Sequence, residues 1–293
     1  MPSMKVVVTG ALGQLGARLV DALGHEAIGL DLPKFDLTDR LCVVDQLMDL
    51  RPNVIVNAAA YTLVDQAEEE PERARAVNVD GVAHLVEACR KLDALLVQIS
   101  TDYVFGGDEK RTIPYRETDP PAPLGIYGKT KLEAERVAAG WVKHLIVRTS
   151  GLYGPLAPRG GGNFVATMLR LAKTRKRIDV VDDQHCSPSY TPNVARAVAS
   201  LIDQQARGTY HVVNRGATTW HEFTVELFRL TGLPIEIAPI RSDQYPSVAR
   251  RPAYCVLDTQ RYDSLPGRYH LPSWQEALAE HVRAEEFRNP TET

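Results

Sequence analysis

Tyr127 and Lys131 stand four residues apart in the run YGKTK. On a helix that spacing puts both side chains on one face, so a phenol and an ammonium can share a site. A free tyrosine has a pKa of about 10 and is a poor acid–base at neutral pH. A nearby ammonium favours the phenolate and lowers that pKa. Such a tyrosine can hand a proton to the alkoxide left when a hydride reaches a ketone carbon, and the lysine can hold a nicotinamide ribose. Alone, the pair is common on solvated helices. It gains weight from Ser100, Thr101, Asp102 and Tyr103, which close an apolar, strand-like run. Ligands of an open parallel sheet gather beyond the carboxyl ends of its strands. Thr101 can donate there to a substrate carbonyl oxygen.

A cofactor must then be held, and the N-terminal end carries the means. Gly10, Gly13 and Gly16, with Leu12, Gln14 and Leu15 between them, follow one β-branched run and open a helix. Glycines permit the tight turn and let backbone approach a pyrophosphate. The N–H groups and dipole of the helix start favour that charge. The spacing is G-x-x-G-x-x-G. Asp31 ends the next strand-like run, where a carboxylate can accept ribose hydroxyls, the pattern of NADH. Lys34 is close enough to tolerate the extra phosphate of NADPH, so both cofactors stay open. Asp36 and Leu37 can border the adenine. Ala58, Ala59 and Ala60 end a third run with the small residues needed where a cofactor presses on backbone.

The elements that would position these residues alternate. Strand signals at 5–9, 26–30, 53–57, 94–100 and 144–149 are separated by helical ones. Thr38 is placed to cap a helix, 69–91 reads as one long amphipathic helix, and 124–139 as another. Short apolar strands between helices imply a doubly wound parallel sheet covered on both faces. After Ser150 the rhythm breaks. Helices near 163–173 and 192–205, a strand at 209–213 and a helix opening at Thr219, with Glu222 at capping-box spacing, suggest a smaller α/β lobe. The expectation is a dinucleotide-binding domain over 1–150 and a mainly substrate-binding lobe over 151–293, packed together without a flexible linker.

The bulk numbers exclude several classes. A net charge of −3 over 293 residues gives no basic field for nucleic acid or anionic membrane. The apolar share of 44% allows a sizeable core. Cys42, Cys89, Cys186 and Cys255 form no C-x-x-C pair, and their spacings match no zinc signature. Met1–Lys5 runs straight into a strand-like triplet with no signal peptide, and no apolar run approaches a membrane span. A cytoplasmic protein is the default reading.

With these motifs in hand, the chain resembles the extended short-chain dehydrogenase/reductases, and more closely the dTDP-4-dehydrorhamnose reductase family. The likeness runs through TGALGQLG (9–16), RPNVIVNAAAYTLVDQAE (51–68), STDYVF (100–105), PLGIYGKTKLEAE (123–135), HLIVRTSGLYG (144–154), NFVATMLRLAK (163–173), DDQHCSPS (182–189) and ARRP (249–252). It implies a Rossmann-like fold, with Thr101, Tyr127 and Lys131 as the catalytic trio. The implied reaction reduces the C4 ketone of dTDP-4-dehydro-6-deoxy-L-mannose with NADPH or NADH. It also implies Thr62 and Val64 as substrate neighbours. Asn163 can cap a helix beside the sugar, and Arg250, with Arg251, can meet a pyrophosphate. Arg148 reads as an internal salt-bridge partner and His185 with Cys186 as pocket lining. Two positions depart from the family. Gly151 stands where a tryptophan near the sugar is usual, which removes a wall. Arg18 and Pro192 stand where some members place magnesium-binding glutamates between subunits, so no metal is carried over. The chain is expected as a monomer or homodimer. Two alternatives stay open: a nucleotide-sugar epimerase or 4,6-dehydratase, and a non-catalytic subunit resembling the regulatory β subunit of methionine adenosyltransferase.

Overall fold

Three short apolar runs become the buried centre of one sheet. In the computed structural model, which describes residues 4–288, strands β1 (Val6–Thr9), β3 (Val54–Asn57) and β4 (Leu95–Thr101) are buried at every position. Strands covered on both faces need no polar alternation, and these have little. With β2 (Ala27–Leu30), β5 (His144–Thr149) and β10 (Gly208–His211) they form a six-stranded sheet in the order β10-β5-β4-β3-β1-β2, parallel throughout. Residues 1–3, on which the reading of the N-terminus partly rests, lie outside the described residues. Among those described, no helix is long and apolar enough to cross a membrane.

One face of the sheet is covered by α1 (Gln14–Leu23) and α8 (Thr191–Asp203), which pack on each other. The other is covered by α2 (Arg40–Leu50), α5 (Gly81–Leu92) and α6 (Ile126–Ala139). The cap of α2 is Asp39, whose carboxylate accepts from the Leu41 and Cys42 N–H groups, rather than Thr38. The long helix expected over 69–91 is broken. Helix α3 (Val64–Glu69) ends before Pro71, which has no N–H to continue it. Helix α4 (Pro71–Arg75) then widens into a π-turn at Ala76–Asp80 before α5 begins. Hydrophobic period alone cannot register either interruption. The π-turn aims Asn78 inward, where it bonds the Tyr61 N–H (2.9 Å), the Tyr61 carbonyl (3.2 Å) and Thr130 Oγ1 (3.0 Å).

The chain does not leave the sheet after Ser150. The helix expected near 192–205 lies against α1, and the strand expected at 209–213 is β10, paired with β5. The separate layer is built from β6 (Leu152–Tyr153), β7 (Arg177–Val181), β8 (His185–Cys186), β9 (Ser189–Tyr190), β11 (Thr218–Thr219) and β12 (Glu236–Ile240). Helices α7 (Phe164–Ala172), α9 (Trp220–Thr231) and α11 (Trp274–Arg288) complete its core, and α10 (Gln260–Asp263) packs beside β10. Thr219 and Glu222 do form the capping box of α9.

Candidate active site

Beyond the carboxyl ends of the strands lies a cleft of about 500 Å³ that meets a second pocket of about 170 Å³. The strand ends are held by a buried amide chain. Thr9 donates to Asn57 Oδ1 (2.7 Å), Asn57 donates to Gln98 Oε1 (2.9 Å), and the Ala59 N–H returns to Asn57 Oδ1 (3.2 Å). Gly10, Gly13, Gln14, Leu15, Asp31, Asp36, Leu37, Ala58, Ala59, Ala60 and Thr62 all line the larger cleft. Gly10 has φ +70°, and a Cβ on it would stand 2.6 Å from the Ala59 nitrogen. Gly16 instead packs against the Gly10 carbonyl, where a Cβ would come within 2.0 Å. Leu12 turns its side chain outward and gives its N–H to Asp31 at 2.7 Å.

These residues fit a dinucleotide. Gly13 caps α1 without a side-chain bond, which leaves the first helical N–H groups available to a phosphate. Gln14 Nε2 and Thr149 Oγ1 line the same region, buried and without a hydrogen-bond partner among the described residues. Such groups cost stability unless something pairs with them. No group of three or more His, Cys, Asp or Glu side chains is placed to hold a metal among the described residues. Arg18 pairs with Asp21 at 3.2 Å.

Thr101, Asp102 and Tyr127, with Ser150 and Gly151, line both cavities and so form their junction. Tyr127 and Lys131 share the inner face of α6 as their spacing requires. The electrostatics differ from the expectation. Burial pushes the Tyr127 phenol up to about 12, a hydrogen bond with Thr101 opposing it. The Lys131 ammonium is buried against the Ile99 carbonyl at 2.7 Å instead of facing the phenol. Burial lowers it to about 8, with Glu135 pulling the other way. The tyrosine is therefore a protonated donor at neutral pH, not a phenolate.

Thr101 donates to Asp102 Oδ1 at 3.0 Å. Asp102 also receives Ser150 Oγ (2.6 Å) and the Cys255 thiol (2.9 Å), and burial raises its carboxyl despite these donors. Tyr103 and Val64 line the smaller pocket, and the Tyr103 ring meets Tyr127 edge-on at 5.9 Å. Arg250 lines neither cavity but borders a small recess of about 10 Å³ beside Val64 and Tyr103, and its guanidinium pairs with Glu109. Asn163 lines neither cavity. It caps α7 through the Ala166 N–H and donates to the Gly154 carbonyl at 2.9 Å, a local role. Arg148 is the internal ion-pair partner expected of it, bonded to both oxygens of Glu135 at 2.9 and 2.7 Å.

Further lining residues carry weaker sequence signals. Ser150 follows the end of β5 and falls under the same rule that marks Thr101. Cys255, Trp220 and Arg159 carry no spacing signal. Beside Gly151 the smaller pocket is lined by Trp220, the first residue of α9. Gly151 has φ +50°, and a Cβ there would stand 3.1 Å from Trp220 Cη2 and from Pro188 Cα. Phe164 braces that indole from behind at 4.5 Å between ring centroids.

Comparison with known proteins agrees with this geometry. Residues 4–287 match the family described as RmlD substrate binding domain. A dTDP-4-dehydrorhamnose reductase of Streptomyces griseus is 42% identical, the match covering 95% of this chain and 93% of that one. The crystal structure of a dTDP-4-dehydrorhamnose reductase from Clostridium acetobutylicum superposes with a TM-score of 0.91 at 38% identity, covering 97% and 100% of the two chains. That of a Bacillus anthracis dTDP-4-dehydrorhamnose reductase in complex with NADP gives 0.90 at 37% identity, covering 96% and 99%.

Proposed function

The chain belongs to the dTDP-4-dehydrorhamnose reductase family, and from that premise we propose that it reduces the C4 ketone of a nucleotide-linked 6-deoxy sugar with NAD(P)H, converting dTDP-4-dehydro-6-deoxy-L-mannose to dTDP-L-rhamnose. The observation that carries this reading is the junction: Thr101, Asp102 and Tyr127 face the dinucleotide-sized cleft and the sugar-sized pocket together. A ketone seated between the two cavities meets the Thr101 hydroxyl and the protonated Tyr127 phenol.

The dinucleotide, when bound, supplies the hydride. Tyr127 gives its proton to the C4 oxygen as negative charge develops there, and the Thr101 hydroxyl, turning from Asp102, donates a hydrogen bond to the same oxygen. Lys131, on the same face of the helix and lining the same cleft, would hold a ribose hydroxyl of the bound dinucleotide. The ketone thus gains a hydride at carbon and a proton at oxygen and leaves as a secondary alcohol. Val64, Tyr103, Trp220 and Cys255 exclude water around the sugar. Most of the sugar-side walls come from beyond residue 150, which supports a substrate role for that half. An elimination chemistry needs a second acid–base carboxylate beside the threonine; Tyr103 occupies that place and burial holds its phenol protonated. Four free thiols favour a reducing compartment, the cytoplasm. A monomer or homodimer completes the proposal.

The test is to follow NADPH and NADH oxidation with a panel of dTDP- and UDP-linked 4-ketosugars, with Tyr127→Phe beside the wild type. The expected result is turnover of the dTDP-linked 6-deoxy ketone, lowered on the order of 100- to 10,000-fold by the substitution with dinucleotide affinity retained. Oxidation unaffected by Tyr127→Phe at saturating substrate would remove the phenol from its role.

A further inference from the structure

At the adenosine end of the cleft the basic group is not the nearby Lys34, which does not line it, but Arg159. Asp31 Oδ2 accepts from the Leu12 N–H at 2.7 Å. Its Oδ1 accepts from the Leu32 N–H at 2.7 Å and from Arg159 Nη2. The same Nη2 reaches the Leu32 carbonyl at 3.1 Å, and the Arg159 N–H donates to the Leu12 carbonyl at 3.1 Å. One residue of the glycine turn, Leu12, is therefore tied to Asp31 through its N–H and to Arg159 through its carbonyl. Arg159 lies 128 residues from Asp31 in sequence, on a loop of the second half.

A bare carboxylate at this place repels a 2′-phosphate and selects for a ribose hydroxyl. Here its charge is matched by a guanidinium. A carboxylate has about four acceptor sites, and Asp31 already fills three, so little is left for a ribose. The Asp31 side chain is only 9% exposed, whereas that of Arg159 is 45% exposed. The protein bonds of the Arg159 side chain use Nη2 alone among the described residues. Nε and Nη1 remain free on the rim of the cleft, and a guanidinium fork suits a phosphate.

We propose that Arg159 binds the 2′-phosphate of NADPH and makes this enzyme prefer NADPH, with Asp31 serving as its mooring and not as a selector for NADH. The inference rests on reading the cleft as a dinucleotide site. It also makes the 2′-phosphate a bridge between the two halves of the chain, because the loop that carries Arg159 belongs to the second.

Calorimetric titration of the full-length protein tests it, with NADPH, NADH, adenosine 2′,5′-bisphosphate and ADP as probes against wild type, Arg159→Ala and Arg159→Lys. Arg159→Ala should weaken the two 2′-phosphorylated probes roughly ten- to a hundredfold, the range of a charge-assisted hydrogen bond. NADH and ADP should stay within about threefold, as expected where the lost contact is to the 2′-phosphate alone. Arg159→Lys should recover part of the loss. Equal weakening of all four probes would reduce Arg159 to a latch on the glycine turn and overturn the proposal, as would unchanged NADPH affinity. Wild type that binds neither dinucleotide would overturn the cofactor reading and this proposal together. Wild type that prefers NADPH while Arg159→Ala keeps the preference would overturn this proposal alone.

Discussion

Tyr127 and Lys131 reach the same site but not the same task. The phenol keeps its proton, raised to about 12 by burial, while the buried ammonium is lowered to about 8. Lys131 is thus the group of this trio that changes charge nearest neutrality. If its charge supports turnover, kcat/KM should fall as pH rises through about 8, and Lys131→Arg, which stays charged, should move that limb upward. Stability should run the other way. The unfolded lysine holds its proton to about 10.4. Between the two values the unfolded chain binds more protons, so this site's contribution to stability rises with pH there. A pH–rate profile beside denaturant midpoints at each pH checks both signs, and an alkaline limb that ignores Lys131→Arg would refute the assignment. The spacing of Tyr127 and Lys131 was legible in the sequence. Their electrostatics were not, because the burial that dominates both shifts is set by packing across the chain.

Helix α6 carries both residues, and a buried clamp sets its position on the sheet. Glu135, two turns beyond Tyr127, accepts from Ser100 on β4 at 2.5 Å and from Arg148 on β5 through two nitrogens. The guanidinium also lies 5.0 Å over the Phe105 ring. Removing one partner of a buried pair strands the other and costs about 3–5 kcal/mol. Arg148→Met should therefore lower unfolding free energy by that order, and Arg148→Met with Glu135→Leu should recover much of it. Urea unfolding of the three proteins decides; equal stability of the single variant and wild type would show that the clamp carries no load. Strand and helix periods made β1 to β5, α6 and α9 readable in advance. The break at Pro71 and the π-turn were not, since Ala74, Val77 and Val82 keep an apolar face through both. Nor was the return of β10 to the sheet: GTYH reads as a strand, but pairing with β5 is decided by packing across the chain.

At the scale of the whole molecule, the first half was read almost entirely from its rhythm and the second only in outline. That difference has a physical cause. Glycine turns, strand ends and a helical Tyr/Lys pair act through local spacing, whereas Trp220, Cys255 and Arg159 enter the cavities through long-range contacts made by loops and helix starts. The pocket therefore looked open at Gly151, whereas Trp220 lines it beside that residue. The proposed function turns on one event, delivery of a hydride to the sugar C4 carbon at the junction of the two cavities. The direct measurement uses NADPH deuterated at nicotinamide C4, each face in turn, with dTDP-4-dehydro-6-deoxy-L-mannose, and reads the product by NMR. The expected result is one dinucleotide oxidised per sugar reduced, with deuterium at sugar C4 from one face only. A changed sugar with no net dinucleotide oxidation, or a reduced sugar without deuterium at C4 from either face, would contradict it.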